Sequence, residues 1–301
     1  MIHSVTVTNH LGESLTLELG SPEKSGLLIR EITGLGPPQA NINSYDLATI
    51  DGSRFVNSRV QTRNIVLTVM PILTPNSSVE DNRLKVYRYF PIKQQIRFAV
   101  QTDNRNAYVT GYVESNEADI FSNEETLTVS ILCPDPYFYE SGDGQTIVFT
   151  GIESVFEFAF SNESLSDNLL EVSAVKSLKS KTFEYVGDAE IGFIISIRIL
   201  DTVSGDILIY NPTTHETMTL DTAKITPGLH PNDYINISTV KGRKYIQHVR
   251  GSTITNVINA MDHDSDWFTL KKGLNTIIYT ADTGEDNMYL SIIFNPAYQG
   301  V

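Results

Sequence analysis

The chain has one cysteine, Cys133, and one tryptophan, Trp267, among 301 residues. A single thiol allows no intrachain disulfide and no zinc site built on cysteines. Basic residues are scarce. Twenty-two Lys+Arg face 36 Asp+Glu, a net charge of -14. That surface is a poor match for nucleic-acid phosphates or an anionic membrane, so neither specific nucleic-acid binding nor membrane insertion is expected. Long apolar runs are missing too. The best candidate, residues 191–200, is interrupted by Ser196 and Arg198 and falls short of the ~18–20 residues a membrane helix needs. The first five residues have neither a basic nor an apolar region and alternate like a strand, so no signal peptide is expected.

Catalytic signatures are absent as well. No Gly-x-Ser-x-Gly elbow occurs, and the six histidines are scattered without metal-ligand spacing. Gly34-Leu35-Gly36 lacks the third glycine of a phosphate loop and runs into Pro37-Pro38, which would block the required helix start. Asp262-His263-Asp264-Ser265-Asp266 alternates acids as a calcium loop does, but has no glycine at its sixth position and no glutamate at its twelfth. It reads as a solvated acidic loop. Cys133 ends an alternating apolar strand and reads as a small buried hydrophobe rather than a nucleophile. A hydrolase would rest only on the abundance of acids, whose placement across a cleft a sequence does not show. The expectation is a non-enzyme with no cofactor and no metal.

What is present is a strand-forming vocabulary. Val5 and Val7, then Leu15, Leu17 and Leu19, sit at period two around the turn Asn9-His10-Leu11-Gly12. Residues 63–70 (RNIVLTVM) form a strand closed by Pro71, and Leu127, Val129 and Ile131 form another that runs into Cys133. One helix is expected at about 78–89. Ser77 followed by Glu80 fits a capping box, and Val79, Val86, Tyr87 and Phe90 can share its buried face. Gly111 inside a strand implies a bulge or a close backbone approach.

Beyond Cys133-Pro134-Asp135-Pro136, where two prolines make a stiff connector, short strands are expected at 145–150, 154–160, 182–186, 192–200, 206–210, 216–220, 233–239, 243–250, 276–281 and 288–295. Two domains follow, 1–136 and 137–301. The first has a net charge of -4 and the second -10. The fold class is mainly β: an N-terminal β-sandwich or roll carrying one helix, then a C-terminal β-sandwich.

The first domain favours arginine over lysine. Arginine is enriched at interfaces because its planar fork pairs with carboxylates. Arg54, Arg59, Arg63, Arg97 and Arg105 are therefore candidates for a surface on which copies of the chain assemble. Trp267, with acids nearby, suits stacking on a sugar ring, so a module binding host cell-wall polysaccharide is the alternative reading.

An ordered series of short motifs resembles the phage distal tail proteins. It comprises Ile32-Thr33-Gly34-Leu35-Gly36-Pro37-Pro38, Asp51-Gly52, Arg63-Asn64-Ile65-Val66-Leu67, residues 83–90 (RLKVYRYF), Gly111-Tyr112-Val113-Glu114 and Cys133-Pro134-Asp135-Pro136-Tyr137-Phe138. Trp267-Phe268-Thr269-Leu270, Gly273-Leu274-Asn275-Thr276-Ile277 and Tyr298-Gln299-Gly300-Val301 extend it. The resemblance implies a galectin-like or carbohydrate-module-like second domain. It also implies a homohexameric ring at the far end of a long non-contractile tail. The first domain would form the ring on the tail tube protein, and the ring would carry a tail-tip or tail-associated lysin protein and receptor-binding proteins. The protein would be made in the host cytoplasm and would end in the virion. A stiff connector predicts that limited proteolysis cuts residues 161–167 or 262–266 before residues 133–138. N-terminal sequencing of the first fragments checks this, and an initial cut between the prolines would contradict it.

Overall fold

The computed structural model describes residues 1–47, 51–122, 124–153, 174–177 and 179–301. The expected strand at 154–160 and the segment 161–167 lie outside them. Two units emerge: Met1–Asp143 together with Ala297–Val301, and Gly144–Pro296.

Unit 1 begins with β1 (Ile2–Thr8), β2 (Ser14–Glu18), a one-turn helix α1 (Pro22–Ser25) and β3 (Leu27–Thr33). The hairpin β4 (Ala40–Asp46) and β5 (Ser53–Val60) follows, then β6 (Arg63–Pro71) and helix α2 (Val79–Tyr89). β7 (Gln95–Thr102), β8 (Asn106–Asp119), β9 (Thr126–Cys133) and β10 (Phe138–Glu140) complete the run. An antiparallel sheet orders them β2-β1-β7-β8-β9-β6-β3. Its two ends, β2 and β3, come into contact, so the sheet curls around its own core. Alternation does the rest: Val5, Val7, Leu17, Ile65, Leu67, Val69, Phe98, Val100, Val109, Val129 and Ile131 are all buried on one face.

Helix α2 lies where expected, but its cap and its face differ in detail. The cap is Ser78, not Ser77. Ser78 Oγ accepts from Asp81 N at 3.1 Å, and the Asp81 carboxylate accepts from Ser78 N at 3.0 Å. The Ser77 hydroxyl is engaged with Thr74 and with Asn82 Oδ1. The buried line is Asn82, Val86 and Phe90, spaced by four, whereas Tyr87 faces outward. Buried Asn82 gives its amide to Ile72 O at 2.8 Å and accepts from Lys85 Nζ at 2.9 Å. Gly111 proves to be a close approach. A Cβ there would stand 2.7 Å from both Cys133 Sγ and Ile131 Cγ2, and the neighbouring bulge falls between Val113 and Ser115.

Unit 2 is a two-sheet sandwich. One sheet orders β11 (Gln145–Val148), β22 (Met288–Phe294), β15 (Ile194–Ile199), β18 (Tyr234–Ser238), β19 (Tyr245–Arg250) and β20 (Thr253–Asn256). The other orders β14 (Ser180–Tyr185), β21 (Gly273–Thr283), β16 (Ser204–Asn211) and β17 (Glu216–Asp221). β12 (Thr150–Glu153) and β13 (Ala174–Ser177) pair separately. Aromatic rings bridge the two sheets. Phe294 lies 5.8 Å from both Phe183 and Tyr185, and Tyr279 gives its hydroxyl to Met288 O at 3.1 Å. The chain then returns to unit 1 as β23 (Ala297–Tyr298), which pairs with β10. The architecture is mainly β, as the alternation implied.

Gly111→Ala is expected to destabilise the protein by about 1–3 kcal/mol, because the extra methyl overpacks the β8–β9 layer at Cys133 and Ile131. Thermal unfolding followed by circular dichroism measures it; an unchanged melting temperature would contradict the packing described.

Candidate assembly interface

The β4–β5 hairpin is the part of unit 1 that the core does not explain. Every described side chain on its two strands is exposed except Val60. The pairing runs Asn41↔Arg59, Ile42↔Ser58 and Asn43↔Asn57, then shifts by one, so that Ser44 opposes Phe55 and Tyr45 opposes Arg54. The shift is a bulge at Val56. Side chains alternate across a strand, so this register sorts them into two faces. Asn41, Asn43, Asn57 and Arg59 share a polar face with Tyr45 and Arg54, and Asn43 Nδ2 donates to Asn57 Oδ1 at 2.6 Å. Ala40, Ile42, Phe55 and Val60 share the other with Ser44, Asp46, Ser53 and Ser58. Ile42 is 68% exposed, Phe55 61% and Val56 55%. A lone two-stranded hairpin is marginal in water, and an uncovered apolar face is a docking surface by default. No strand was expected from the sequence over either segment. The available signal was the apolar residues set across the two strands rather than along one.

The five candidate arginines separate. Arg54 and Arg59 ride on the polar face of the hairpin and are exposed. Arg97, also exposed, stacks on Tyr108 at 3.6 Å, and Tyr108 meets the Tyr139 ring at 6.1 Å. Arg105 lies over Tyr298 at 4.3 Å and donates to Gly300 O at 2.5 Å. Arg63 corrects the expectation of a surface role, for it is only 3% exposed. Its Nε donates to Pro136 O at 2.6 Å, Nη1 to Gly36 O at 2.6 Å and to Gly34 O, and Nη2 to Gln299 O at 2.6 Å. Phe138 lies 4.5 Å beneath the guanidinium. Burial lowers its pKa. Four of its five N–H groups are engaged by its own chain.

Among the described residues, unit 2 holds a buried ionic cluster. Asp233, 2% exposed, accepts from His230 N at 2.9 Å, His248 Nε2 at 2.8 Å and Arg250 Nη2 at 2.7 Å. Arg250 Nη2 also reaches Gly228 O at 2.6 Å. Among the described residues no nucleophilic side chain is hydrogen-bonded to this Asp–His pair; the cluster ties the 228–233 loop to β19. The Asp233 carboxyl is held far below its usual range, chiefly by Arg250 and then by His248. Cys133 is buried, and burial pushes its thiol up to about 11, so it is not a poised nucleophile.

The 262–266 loop is bonded along β17. Asp266 N donates to Thr217 O at 2.6 Å, and Asp262 N donates to Thr219 O at 2.9 Å. Among the described residues no group of three His, Cys, Asp or Glu side chains is placed to hold a metal ion. Trp267 is half-buried with Lys244 Nζ 5.1 Å from its ring, so a face needed for sugar stacking already has a cation over it.

With this geometry in hand, the fold can be compared with known structures. Its neighbours are phage hub and baseplate proteins. The crystal structure of the SPP1 Dit protein, described as a paradigm of the hub adsorption apparatus in phages infecting Gram-positive hosts, superposes with a TM-score of 0.63 at 11% identity, covering 97% of this chain and 98% of that one. The phage P2 baseplate in its activated conformation with Ca gives 0.47 at 12% identity, over 97% and 98% of the two chains. The p2 baseplate with Sr gives 0.43 at 11%, over 96% and 97%. The fold likeness rests on the first. No protein-family model and no curated protein matches the chain.

Asp233 generates a pH prediction. A carboxyl whose folded pKa is depressed contributes stability that is full above its unfolded pKa, about 4, and is lost as the pH falls below that value toward the folded one. Asp233→Ala should cost about 3–5 kcal/mol at neutral pH, since it strands a buried partner. Asp233→Asn should flatten the acid loss of stability below pH ~4. Urea unfolding from pH 3 to 7 reads both effects, and parallel curves for wild type and Asp233→Asn would refute the assignment.

Proposed function

We propose that this chain is a structural hub protein of a long non-contractile phage tail. Six copies form a ring that joins the tail tube to the tip and adsorption proteins. The observation that carries the reading is the β4–β5 hairpin, which leaves an apolar face uncovered on a unit whose own core is complete. The shared fold with the SPP1 hub protein supports the class. An arm that docks on a surface unlike itself makes a head-to-tail contact, and repetition of such a contact closes a ring. The number six and the named neighbours (tail tube protein, tail-tip or tail-associated lysin protein and receptor-binding protein) come from the motif resemblance.

Within this reading unit 1 makes the ring and the sandwich of unit 2, galectin-like by the same resemblance, is carried outside it. No catalytic role is assigned, and the protein resides in the virion tail after assembly in the host cytoplasm. The hairpin supplies hydrophobic contact, while Arg54 and Arg59 on its other face add directional pairing. Ile42→Asp combined with Phe55→Asp should convert rings to monomers while leaving the circular dichroism spectrum and melting temperature nearly unchanged, since both side chains are exposed in the single chain. Native mass spectrometry and electron microscopy, alone and with the tail tube protein, decide it. Rings surviving the double substitution would exclude the hairpin as their interface, and a wild-type protein that stays monomeric beside its tube partner would overturn the ring.

A further inference from the structure

The hairpin leaves unit 1 through two strands of backbone, residues 33–39 on the way out and 60–63 on the way back. Both roots are fastened to the segment Ala297–Val301, which the chain supplies only after passing through unit 2. Arg63, at the returning root, donates at once to Gly34 and Gly36 on the outgoing root, to Pro136 in the connector and to Gln299. Val301 N donates to Leu35 O at 3.2 Å. Gly300 packs so closely on the outgoing root that a Cβ would stand 3.0 Å from Leu35 O and 3.2 Å from the Gly36 carbonyl carbon. Arg105 holds the same segment from the other side, through Gly300 O and the Tyr298 ring. Between the roots themselves the backbone gives Gln61 N to Gln39 O at 2.8 Å.

We propose that Ala297–Val301 acts through Arg63 as a latch that fixes the direction in which the β4–β5 arm leaves unit 1. Arg63 is a positioning residue in this device, not a contact with the partner. The chemistry requires arginine. Four N–H groups pointing to carbonyls of three chain segments need a planar fork, and a lysine has three donors on one point. Without the latch the Gly34, Leu35 and Gly36 carbonyls of the outgoing root lose their donors, and the arm samples directions that no longer meet a neighbouring copy. The value of the arm as a docking element rests on the ring reading above; the latch does not, and it is measured on the single chain.

Arg63→Ala strands a buried carbonyl cluster and is a poor test on its own, so two variants leave that residue in place. Gly300→Val drives a side chain between the segment and the outgoing root. Arg105→Ala releases the segment from its far side. Hydrogen–deuterium exchange of the full chain is followed by mass spectrometry at low, monomeric concentration. The expected result is at least tenfold faster exchange in peptides covering 33–39 and 60–63, with β1, β7 and β9 keeping wild-type protection. Unchanged exchange at both roots in both variants overturns the latch. A uniform rise across all strands also overturns it, for the segment would then be ordinary support of the core. Ring formation by the same variants is read separately by native mass spectrometry. Loss of wild-type rings strikes the functional reading, whereas root exchange strikes the latch alone.

Discussion

One buried cation organises unit 1. Arg63 carries its charge into a site where every hydrogen-bond partner is a backbone carbonyl, and no carboxylate shares its hydrogen bonds. A buried charge is costly unless its donors are met, and here four short bonds meet four of the five, with the Phe138 face stacked on the guanidinium. The same bonds satisfy carbonyls in a glycine loop, a proline connector and a returning terminal segment, none of which can enter the sheet ladder. Gly34 illustrates how tightly they converge. It sits at a φ of +82°, and a Cβ there would fall 2.0 Å from Asn64 O, so only glycine fits beside the strand that carries Arg63. Cation, loop and connector are one solution to the problem of closing an irregular corner.

Set against that closure, the arm is a deliberate incompleteness. The curled sheet and its helix bury their alternating residues fully, and unit 2 does the same between its two sheets. The β4–β5 hairpin keeps Ile42, Phe55 and Val56 in water with backbone pairing confined to two strands. Covering Ile42, Phe55 and Val56 against a neighbour would release roughly 1.5–3 kcal/mol per side chain in the favourable limit.

Much of this was legible in the residues, and the failures have physical causes. Period-two runs such as 63–70 and 127–131 announced strands because one face of each is wholly buried. The cap of α2 was misread by one position because Ser77–Glu80 and Ser78–Asp81 both satisfy the pattern; the choice is made by Thr74 and Asn82, which occupy the Ser77 hydroxyl. The arm was invisible because its large apolar residues are divided between two strands, Ile42 opposite Ser58 and Phe55 opposite Ser44, and do not alternate along either strand. Arg63 looked like surface charge because its burial depends on Gln299, 236 positions away. Yet four of the motif pieces read separately along the chain, those beginning at Ile32, Arg63, Cys133 and Tyr298, all meet at that guanidinium. Their order was readable; their convergence was a fact of three dimensions.

The pairing of β10 with β23 has a further consequence. Tyr139 lies opposite Ala297 and Phe138 opposite Tyr298, so the chain departs for unit 2 and comes back from it along adjacent strands, about 5 Å apart. Topologically, the whole of Gly144–Pro296 is an insertion in the loop of a short hairpin. Insertions whose two ends lie side by side are the kind that a host fold tolerates best. Unit 1 therefore carries both ends of this insertion on adjacent strands of its own, so its sheet closes without a strand from Gly144–Pro296.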